Sequence, residues 1–189
     1  MLWLALSYPR LALEVFNSEY ASSGQPVVVL EKNKIVLCNT TAKKLNILPN
    51  SSLATAQAIQ EELVYFERDR LLEQKVLTSL AAELCALSSQ VSMPFEGTIL
   101  LEIGASIRLF GSVDVIEQKA IALSLAAGLE AVSGIAPTAQ AALAFSYSNK
   151  NKLSDIIKSF KQKTCQILSI NKDNIALKLL VLICLLILS

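Results

Sequence analysis

A short apolar run near the start of the chain constrains its fold more than any other segment. Residues 2–6 read LWLAL and are followed directly by Ser7, Tyr8 and Pro9. A run of this length without alternating polar residues predicts a strand that is buried on both faces, in the centre of a sheet. A second hydrophobic strand is predicted over residues 98–111, TILLEIGASIRLFG.

The segments between these two runs predict a hairpin and a long helix. PVVVL and KIVLCN are strand-like runs separated by three polar residues, as in two antiparallel strands joined by a short turn. Residues 68–87 carry leucine and valine at spacings of one, three and four, which predicts a helix. Its apolar stripe consists of Leu71, Leu72, Val76, Leu80, Leu84 and Leu87.

Local signals predict two shorter helices after the hairpin. A helix from Thr40 is expected to end near Asn46, because asparagine tolerates the left-handed conformation of a helix end. Ser51 or Ser52 can cap the next helix, LATAQAIQ, by accepting hydrogen bonds from its free amides. Another long helix, VDVIEQKAIALSLAAGLEAV, is expected after the second apolar strand. This order of elements predicts an α+β fold with helices on one face of a sheet.

Charge divides the chain into two regions. Residues 1–148 hold 10 Lys/Arg and 14 Asp/Glu, which gives a net charge of −4. Residues 149–189 hold 7 Lys/Arg and 2 Asp/Glu, which gives a net charge of +5. A domain that grips duplex DNA alone usually has a basic face, and the first region has no such excess. The second region is predicted to be a basic linker followed by a hydrophobic helix over residues 175–188. That run is shorter than the roughly 20 residues that span a bilayer, so membrane association is not favoured.

Residue usage excludes several classes of site. The sequence contains no histidine and no CxxC pair, which excludes a histidine-based catalytic triad and the common zinc sites. The four cysteines are scattered, as is typical of a protein in a reducing cytoplasm. The N-terminus lacks the basic segment and the long apolar core of a signal peptide. We therefore expect a cytoplasmic protein.

The two apolar strands resemble those that hold the metal-binding carboxylates of Y-family DNA polymerases. Two-metal phosphoryl transfer needs carboxylates on adjacent strands, because two magnesium ions must contact the attacking and leaving oxygens. When the family's first motif is laid on LWLALSYPRLALE, its acidic positions fall on Ala5 and Ser7, and its last glutamate falls on Glu14. Alanine and serine do not replace aspartate as magnesium ligands. The resemblance therefore implies a polymerase palm without a catalytic site or a metal.

The family's second motif resembles LLEIGASIRLFG. When the motif is anchored at Gly111, its acidic pair falls on Ile103 and Gly104. A shift of one residue brings Glu102 to the first acidic position, so a single residual carboxylate is one interpretation. Glu102 is also explained without a function, as a strand residue that faces water or pairs with Arg108.

The segment CNTTAKKLNILPNS is similar to the family's fingers, where a Tyr-x-x-Arg pair meets the nucleotide triphosphate. The pair becomes Thr40 and Lys43, and two family glycines become Asn46 and Asn50. Thr40, Lys43 and Lys44 are therefore candidates for binding a nucleotide or phosphate. Lysine keeps the charge but not the bidentate fork of arginine. A solvated helix face explains both lysines as well.

Several ordered motifs resemble the ImuB-type subgroup, whose members are catalytically inactive bacterial Y-family relatives. They are LWLAL, the Ala-Gln-Ala at residues 56–58, and the segments 101–111 and 134–142. The resemblance covers residues 1–148. It implies a palm-like sheet with packed helices and a small fingers-like helical insertion at about residues 25–66.

This resemblance also implies a function and partners. ImuB-type proteins are adaptors in damage-induced mutagenesis, within the SOS response, DNA repair and translesion synthesis. Their partners are an error-prone replicative-type polymerase, the sliding clamp and a small RecA-like protein. DNA is a further candidate partner, and bacterial origin is implied.

Alternatives stay open. The chain could be a weak or partner-dependent DNA nucleotidyltransferase that keeps Glu102 and Lys43 and uses Mg²⁺. It could also be a small membrane-associated protein whose working part is residues 175–188. Family members are much longer, so a truncated or frameshifted gene is one interpretation of residues 149–189.

Overall fold

Two β-sheets organise the fold. The computed structural model describes residues 1–16, 20 and 24–147. Its strands are β1 (Trp3–Ser7), β2 (Val27–Glu31), β3 (Lys34–Cys38), β4 (Val64–Glu67), β5 (Val91–Ser92), β6 (Thr98–Glu102) and β7 (Val132–Ala136). One sheet has the strand order β5-β6-β1-β7 and the other has the order β3-β2-β4. The predicted linker and hydrophobic helix at 149–189 lie outside the described residues.

Helices surround these sheets, so the predicted α+β class is confirmed. They are α1 (Leu11–Glu14), α2 (Thr40–Lys44), α3 (Leu53–Ile59), α4 (Arg70–Leu84), α5 (Ile107–Phe110), α6 (Val113–Ala126) and α7 (Ala139–Tyr147).

The strand β1 lies between β6 and β7 and is antiparallel to both, as its apolar sequence predicts. Leu4 and Leu6 are fully buried on one face, in a core that includes Leu80 of α4 and Ile116 of α6. Ala5 is fully buried in a separate cluster that includes α7 residues. The expectation of helices on one face of the sheet is therefore wrong, and helices pack on both faces. The reason is that both faces of β1 are apolar and must be shielded from water.

The helix α7 lies very close to β7. A β-carbon added to Gly134 would clash with the backbone of α7, at the carbonyl oxygen of Ala142 and the amide nitrogen of Ser146. Glycine at this position lets the helix approach the sheet.

The second sheet confirms the predicted hairpin. β2 and β3 are antiparallel, and both turn residues, Lys32 and Asn33, have positive φ angles of 51° and 62°. Such angles match the two-residue turns that suit a twisted hairpin. Ser52 caps α3 through the amide of Thr55, and Asn46 has the predicted left-handed conformation, with φ 62°. The strand β4 runs parallel to β2 and was not predicted from the sequence.

The long helix α4 is confirmed, but its apolar stripe was partly wrong. Leu71 is 80% exposed, whereas Leu77 is buried with Leu80 and Leu84. Leu71 and Leu80 are nine positions apart, which places them on opposite sides of a helix with 3.6 residues per turn. Asp69 caps this helix by accepting a hydrogen bond from the amide of Leu72.

The predicted strand over residues 98–111 is wrong in its second half. β6 ends at Glu102, and residues 107–110 form the short helix α5. Ile107 and Phe110, three positions apart, pack against the core, whereas Leu109 is 79% exposed. That spacing suits a helical turn and not an alternating strand.

Candidate functional site

Ala5 and Ser7 occupy one face of β1 and have defined neighbours. In the strand register, Ala5 lies opposite Leu100 of β6, and Ser7 lies opposite Thr98. On the other side of β1, Ser7 lies opposite Val132 of β7, and Ala5 lies opposite Gly134. Side chains of paired residues point to the same face of a sheet, so Leu100 and Thr98 flank the two candidate positions.

The helix α7 covers this face. Ala5 is fully buried in a cluster that includes Leu100, Ala142 and Leu143. Ser7 is buried, and its Oγ lies 2.5 Å from Oγ of Ser146. Next to this pair, the hydroxyl oxygens of Thr98 and Tyr147 lie 2.7 Å apart, which ties β6 to the same helix.

These residues do not fit a magnesium ion. Mg²⁺ binds proteins mainly through carboxylates, and Ala5, Ser7, Thr98 and Leu100 offer at most two hydroxyl groups, each already hydrogen-bonded to α7. Across the part of the chain that the structure describes, no group of three or more Asp, Glu, Cys or His side chains could hold a metal.

Ile103, Gly104 and Glu102 lie at the other end of β1. Glu102 is opposite Trp3, and the amide of Ile103 donates to the carbonyl oxygen of Leu2 over 2.8 Å. Thr98 and Glu102 are four positions apart on β6, which is about 13 Å along a strand. The structure therefore does not bring the second set of predicted positions next to Ser7.

The carboxylate of Glu102 has a local structural role. Its Oε1 accepts hydrogen bonds from the backbone amides of Leu2, over 3.2 Å, and Gly104, over 3.1 Å. It thus connects the beginning of the chain with the turn after β6. These bonds differ from both roles predicted for Glu102 without a function, a water-facing side chain or a pair with Arg108.

The phosphate-binding candidates lie together on α2. Thr40, Lys43 and Lys44 are exposed, and Thr40 and Lys43 are three positions apart, on one side of the helix. The helix begins at the cap Asn39, whose side chain accepts from the amide of Ala42. The pKa of the neighbouring Cys38 thiol is raised by burial, and the positive charge of Lys43 opposes only part of this shift.

Glu14, the match to the last residue of the first family motif, is buried. Its Oε2 accepts a hydrogen bond of 3.0 Å from the backbone amide of Glu130, just before β7. Burial raises the pKa of Glu14, and this hydrogen bond opposes the shift. At the surface, Arg10 forms an ion pair of 2.7 Å with Glu130. Glu14 therefore connects α1 with the loop before β7.

Five charged residues form a cluster that was not predicted from the sequence, and we call it the ion cluster: Glu31, Arg68, Arg70, Glu73 and Glu96. Arg68 binds the buried Glu73 through two hydrogen bonds of 2.6 and 2.7 Å. Arg70 contacts Glu31 over 2.9 Å and Glu96 over 2.6 Å. The short spacing of Arg68, Arg70 and Glu73 was visible in the sequence, but only the fold brings Glu31 and Glu96 to them.

The ion cluster borders a cleft at the carboxyl end of β1. Two adjoining cavities of about 350 and 260 Å³ share Leu11, Glu73, Glu96 and Gly97 as lining residues, and together we call them the cleft. The amide of Tyr8, directly after β1, donates to the carbonyl oxygen of Gly97 over 2.9 Å. The cleft thus lies at the same end of β1 as Ser7.

Tyr8 lines the smaller cavity, but its hydroxyl group is not available as a base at neutral pH. Burial raises the pKa of Tyr8 to about 12, and a hydrogen bond of 2.9 Å with Ser124 partly opposes this shift. The phenol therefore stays protonated at neutral pH.

Among the helices that the structure describes, none is long and apolar enough to cross a membrane. The hydrophobic run at 175–188 lies outside that part of the chain.

Comparisons with known proteins identify relatives. The family model of the impB/mucB/samB proteins matches residues 11–147. Solved structures with the same fold include the insertion ternary complex of Dbh DNA polymerase, with a TM-score of 0.61 at 16% identity, covering 75% of this chain and 44% of that one. No curated protein sequence matches.

Two further structures agree. DinB from Sulfolobus solfataricus has a TM-score of 0.56 at 15% identity, and the match covers 73% of this chain and 42% of the DinB chain. A Y-family DNA polymerase chimera of Dbh and Dpo4 has a TM-score of 0.58 at 15% identity, with coverages of 73% and 43%. The chain spans less than half the length of these structures. The expected palm and fingers fold of Y-family polymerases is confirmed.

Proposed function

Because the chain belongs to the impB/mucB/samB family, we propose that it is a noncatalytic relative of the Y-family DNA polymerases and acts as an adaptor in DNA repair and translesion synthesis. One observation carries this proposal. The face of β1 with Ala5 and Ser7 is filled by α7 and by neighbours that are not carboxylates. This arrangement supports the proposal, because two-metal catalysis needs carboxylate ligands and the described neighbours of Ala5 and Ser7 include none.

The nucleotidyltransferase alternative finds less support. It needs Glu102 as a metal ligand close to the reacting phosphates, but the carboxylate of Glu102 is bound to two backbone amides at the far end of β1 from Ser7. A membrane function finds no support in the described helices.

The proposed partners follow from the resemblance to ImuB-type proteins. They are the sliding clamp, a small RecA-like protein and an error-prone replicative-type polymerase, with DNA bound directly or through them. A bacterial, cytoplasmic setting belongs to the same proposal. The net charge of −4 over residues 1–148 favours protein partners over direct binding of DNA by this region.

Primer extension tests the noncatalytic part. We expect the full chain to incorporate no nucleotide on a primed template with Mg²⁺, under conditions in which a Y-family polymerase such as DinB extends the primer. Templated incorporation that co-purifies with the chain would refute the proposal. The Glu102→Gln variant then distinguishes the alternatives, because a residual metal ligand at this position would make incorporation sensitive to the substitution.

Binding measurements test the adaptor part. The full chain is immobilised and exposed separately to purified clamp, RecA-like protein and error-prone polymerase from one bacterium. We expect saturable binding of at least one of them. If none binds, the adaptor role is wrong, whatever the result of primer extension.

A further inference from the structure

The floor of the cleft is apolar and open to solvent. Leu11 and Leu77 are buried beneath it, whereas Met93 and Phe95 are 42% and 60% exposed. Pro94 lies between them in the same loop and also lines the cleft. Large apolar side chains around a concave surface are typical of a site that receives an apolar group.

The rim of the cleft is negatively charged. The ion cluster has three carboxylates and two guanidinium groups, which gives a net charge of −1. Arg68 is occupied by Glu73, and Arg70 by Glu31 and Glu96. A phosphate group that entered the cleft would have to displace these carboxylates from the arginines. The cleft is therefore poorly suited to a nucleotide or a DNA strand.

A cationic group is favoured instead, because the net charge of the ion cluster is −1 and Glu96, although paired with Arg70, remains accessible to solvent. Glu96 is the most exposed carboxylate of the ion cluster, with 69% of its side chain accessible, and it directly follows Phe95 in the chain. Negative charge next to an exposed aromatic ring attracts positive charge and offers apolar contact at the same place.

We propose that the cleft binds a segment of a partner polypeptide that presents one bulky apolar side chain between lysine or arginine residues. The apolar side chain packs against Phe95 and Met93, and the cationic neighbours lie near Glu96. This proposal rests on the noncatalytic function, because a polymerase would use the same end of β1 for its own chemistry. The end of the strand that lacks carboxylates is then a protein-binding site.

Fluorescence anisotropy with synthetic peptides tests the proposal on the full chain. The probe is a labelled Gly-Lys-Lys-Phe-Lys-Lys-Gly peptide. One control peptide has glutamate in place of every lysine, and the other has glycine in place of phenylalanine. We expect the probe to bind at least about tenfold more tightly than either control, since each control lacks one of the two proposed interactions.

Variants of the chain locate the binding site. Phe95→Ser is expected to weaken probe binding about tenfold, and Glu96→Gln to weaken it and reduce its salt dependence. Leu109→Ser is the matched control, because Leu109 is 79% exposed and lies on α5, outside the lining of the cleft. Circular dichroism checks that each variant is folded. If Phe95→Ser and Glu96→Gln both bind the probe as tightly as the wild type, the proposal is overturned.

Two further measurements separate this proposal from others. A labelled oligothymidine that binds the wild type and loses affinity on Phe95→Ser would make the cleft a nucleic-acid site and refute the peptide assignment. Primer extension is run on the same preparation. Incorporation would refute the noncatalytic function, whereas a chain that neither extends primers nor binds the probe refutes only the peptide site.

Discussion

The Oγ atoms of Ser7 and Ser146 lie 2.5 Å apart, so a buried hydrogen bond joins the central strand to the last described helix. Two positions earlier on the same strand face, Ala5 packs with Ala142 and Leu143. The face that the sequence resemblance matches to the metal-binding face of Y-family polymerases is therefore a packed interface between β1 and α7. A carboxylate introduced there would change the stability of the fold.

Ala5→Asp is expected to destabilise the fold strongly and to confer no polymerase activity. The new carboxylate would be fully buried among apolar side chains and would have no cation beside it. A buried charge without a partner destabilises a protein by about 3–5 kcal/mol. Urea unfolding followed by circular dichroism measures the loss, and primer extension with Mg²⁺ checks activity.

Ala54→Asp is the matched control for this substitution. Ala54 is exposed in the first turn of α3, where a negative charge is compatible with the helix dipole. We expect its free energy of unfolding to stay within about 0.5 kcal/mol of the wild type. An Ala5→Asp variant as stable as Ala54→Asp would show that the β1–α7 interface is open to solvent in solution.

Arg68→Met is expected to destabilise the protein by about 3 kcal/mol. Glu73 has 7% of its side chain exposed and depends on Arg68 for two charge-assisted hydrogen bonds. Removing one partner leaves a buried carboxylate without compensation. The measurement is the midpoint and slope of urea unfolding at neutral pH.

Two companion variants separate the ion pair from general effects of losing arginine. Arg10→Met breaks an exposed pair with Glu130, for which a change of about 0–1 kcal/mol is expected. The double variant Arg68→Met, Glu73→Leu removes both charges and should recover most of the lost stability. If the double variant is no more stable than Arg68→Met alone, loss of apolar packing by the arginine stem, and not the unpaired carboxylate, causes the effect.

Local chemistry carried most of the successful predictions. LWLAL predicted a central strand because its apolar residues have no alternation, and Asn46 and Ser52 predicted helix ends because their side chains suit these positions. Such signals act within a few residues. The exposure of Leu71 and the burial of Leu77 were harder to predict, since leucine occurs on both sides of α4 and only packing selects the buried side.

The candidate site depended on long-range pairing, which the sequence does not contain. Aligning the second motif at Gly111 placed its acidic pair on Ile103 and Gly104, but the register of β1 with β6 sets Thr98 opposite Ser7. The ion cluster was missed for the same reason. Glu31 and Glu96 are 65 positions apart in the chain, yet both contact Arg70.

The left-handed conformation of Asn46 makes a further prediction. Its φ angle of 62° is tolerated by asparagine, unrestricted for glycine and unfavourable for alanine. We expect Asn46→Ala to reduce the free energy of unfolding by about 1 kcal/mol, and Asn46→Gly to leave it nearly unchanged. Thermal and urea unfolding of the two variants compare them directly. Equal losses in both would attribute the effect to the side chain of Asn46 and not to its backbone angle.

Glu14 makes the stability of the protein depend on pH. Burial raises its pKa above the ordinary value of 4.5 in the folded chain, so the native state favours the protonated carboxyl group. The stabilisation from this proton is present below the unfolded-state pKa and is lost as the pH rises through the folded-state pKa. Glu14→Gln keeps an oxygen that can accept from the amide of Glu130 but does not titrate. Relative to this variant, the wild type should therefore lose stability as the pH rises from the ordinary glutamate pKa of 4.5 towards neutrality.

Urea unfolding of both proteins across that range measures the difference in free energy at each pH. Glu62→Gln controls for the removal of one carboxylate at an exposed position, and its stability should follow that of the wild type. A constant difference between the wild type and Glu14→Gln would mean that Glu14 does not take up a proton on folding. A difference that changes in the opposite direction would mean that the hydrogen bond from Glu130 stabilises the carboxylate by more than burial destabilises it.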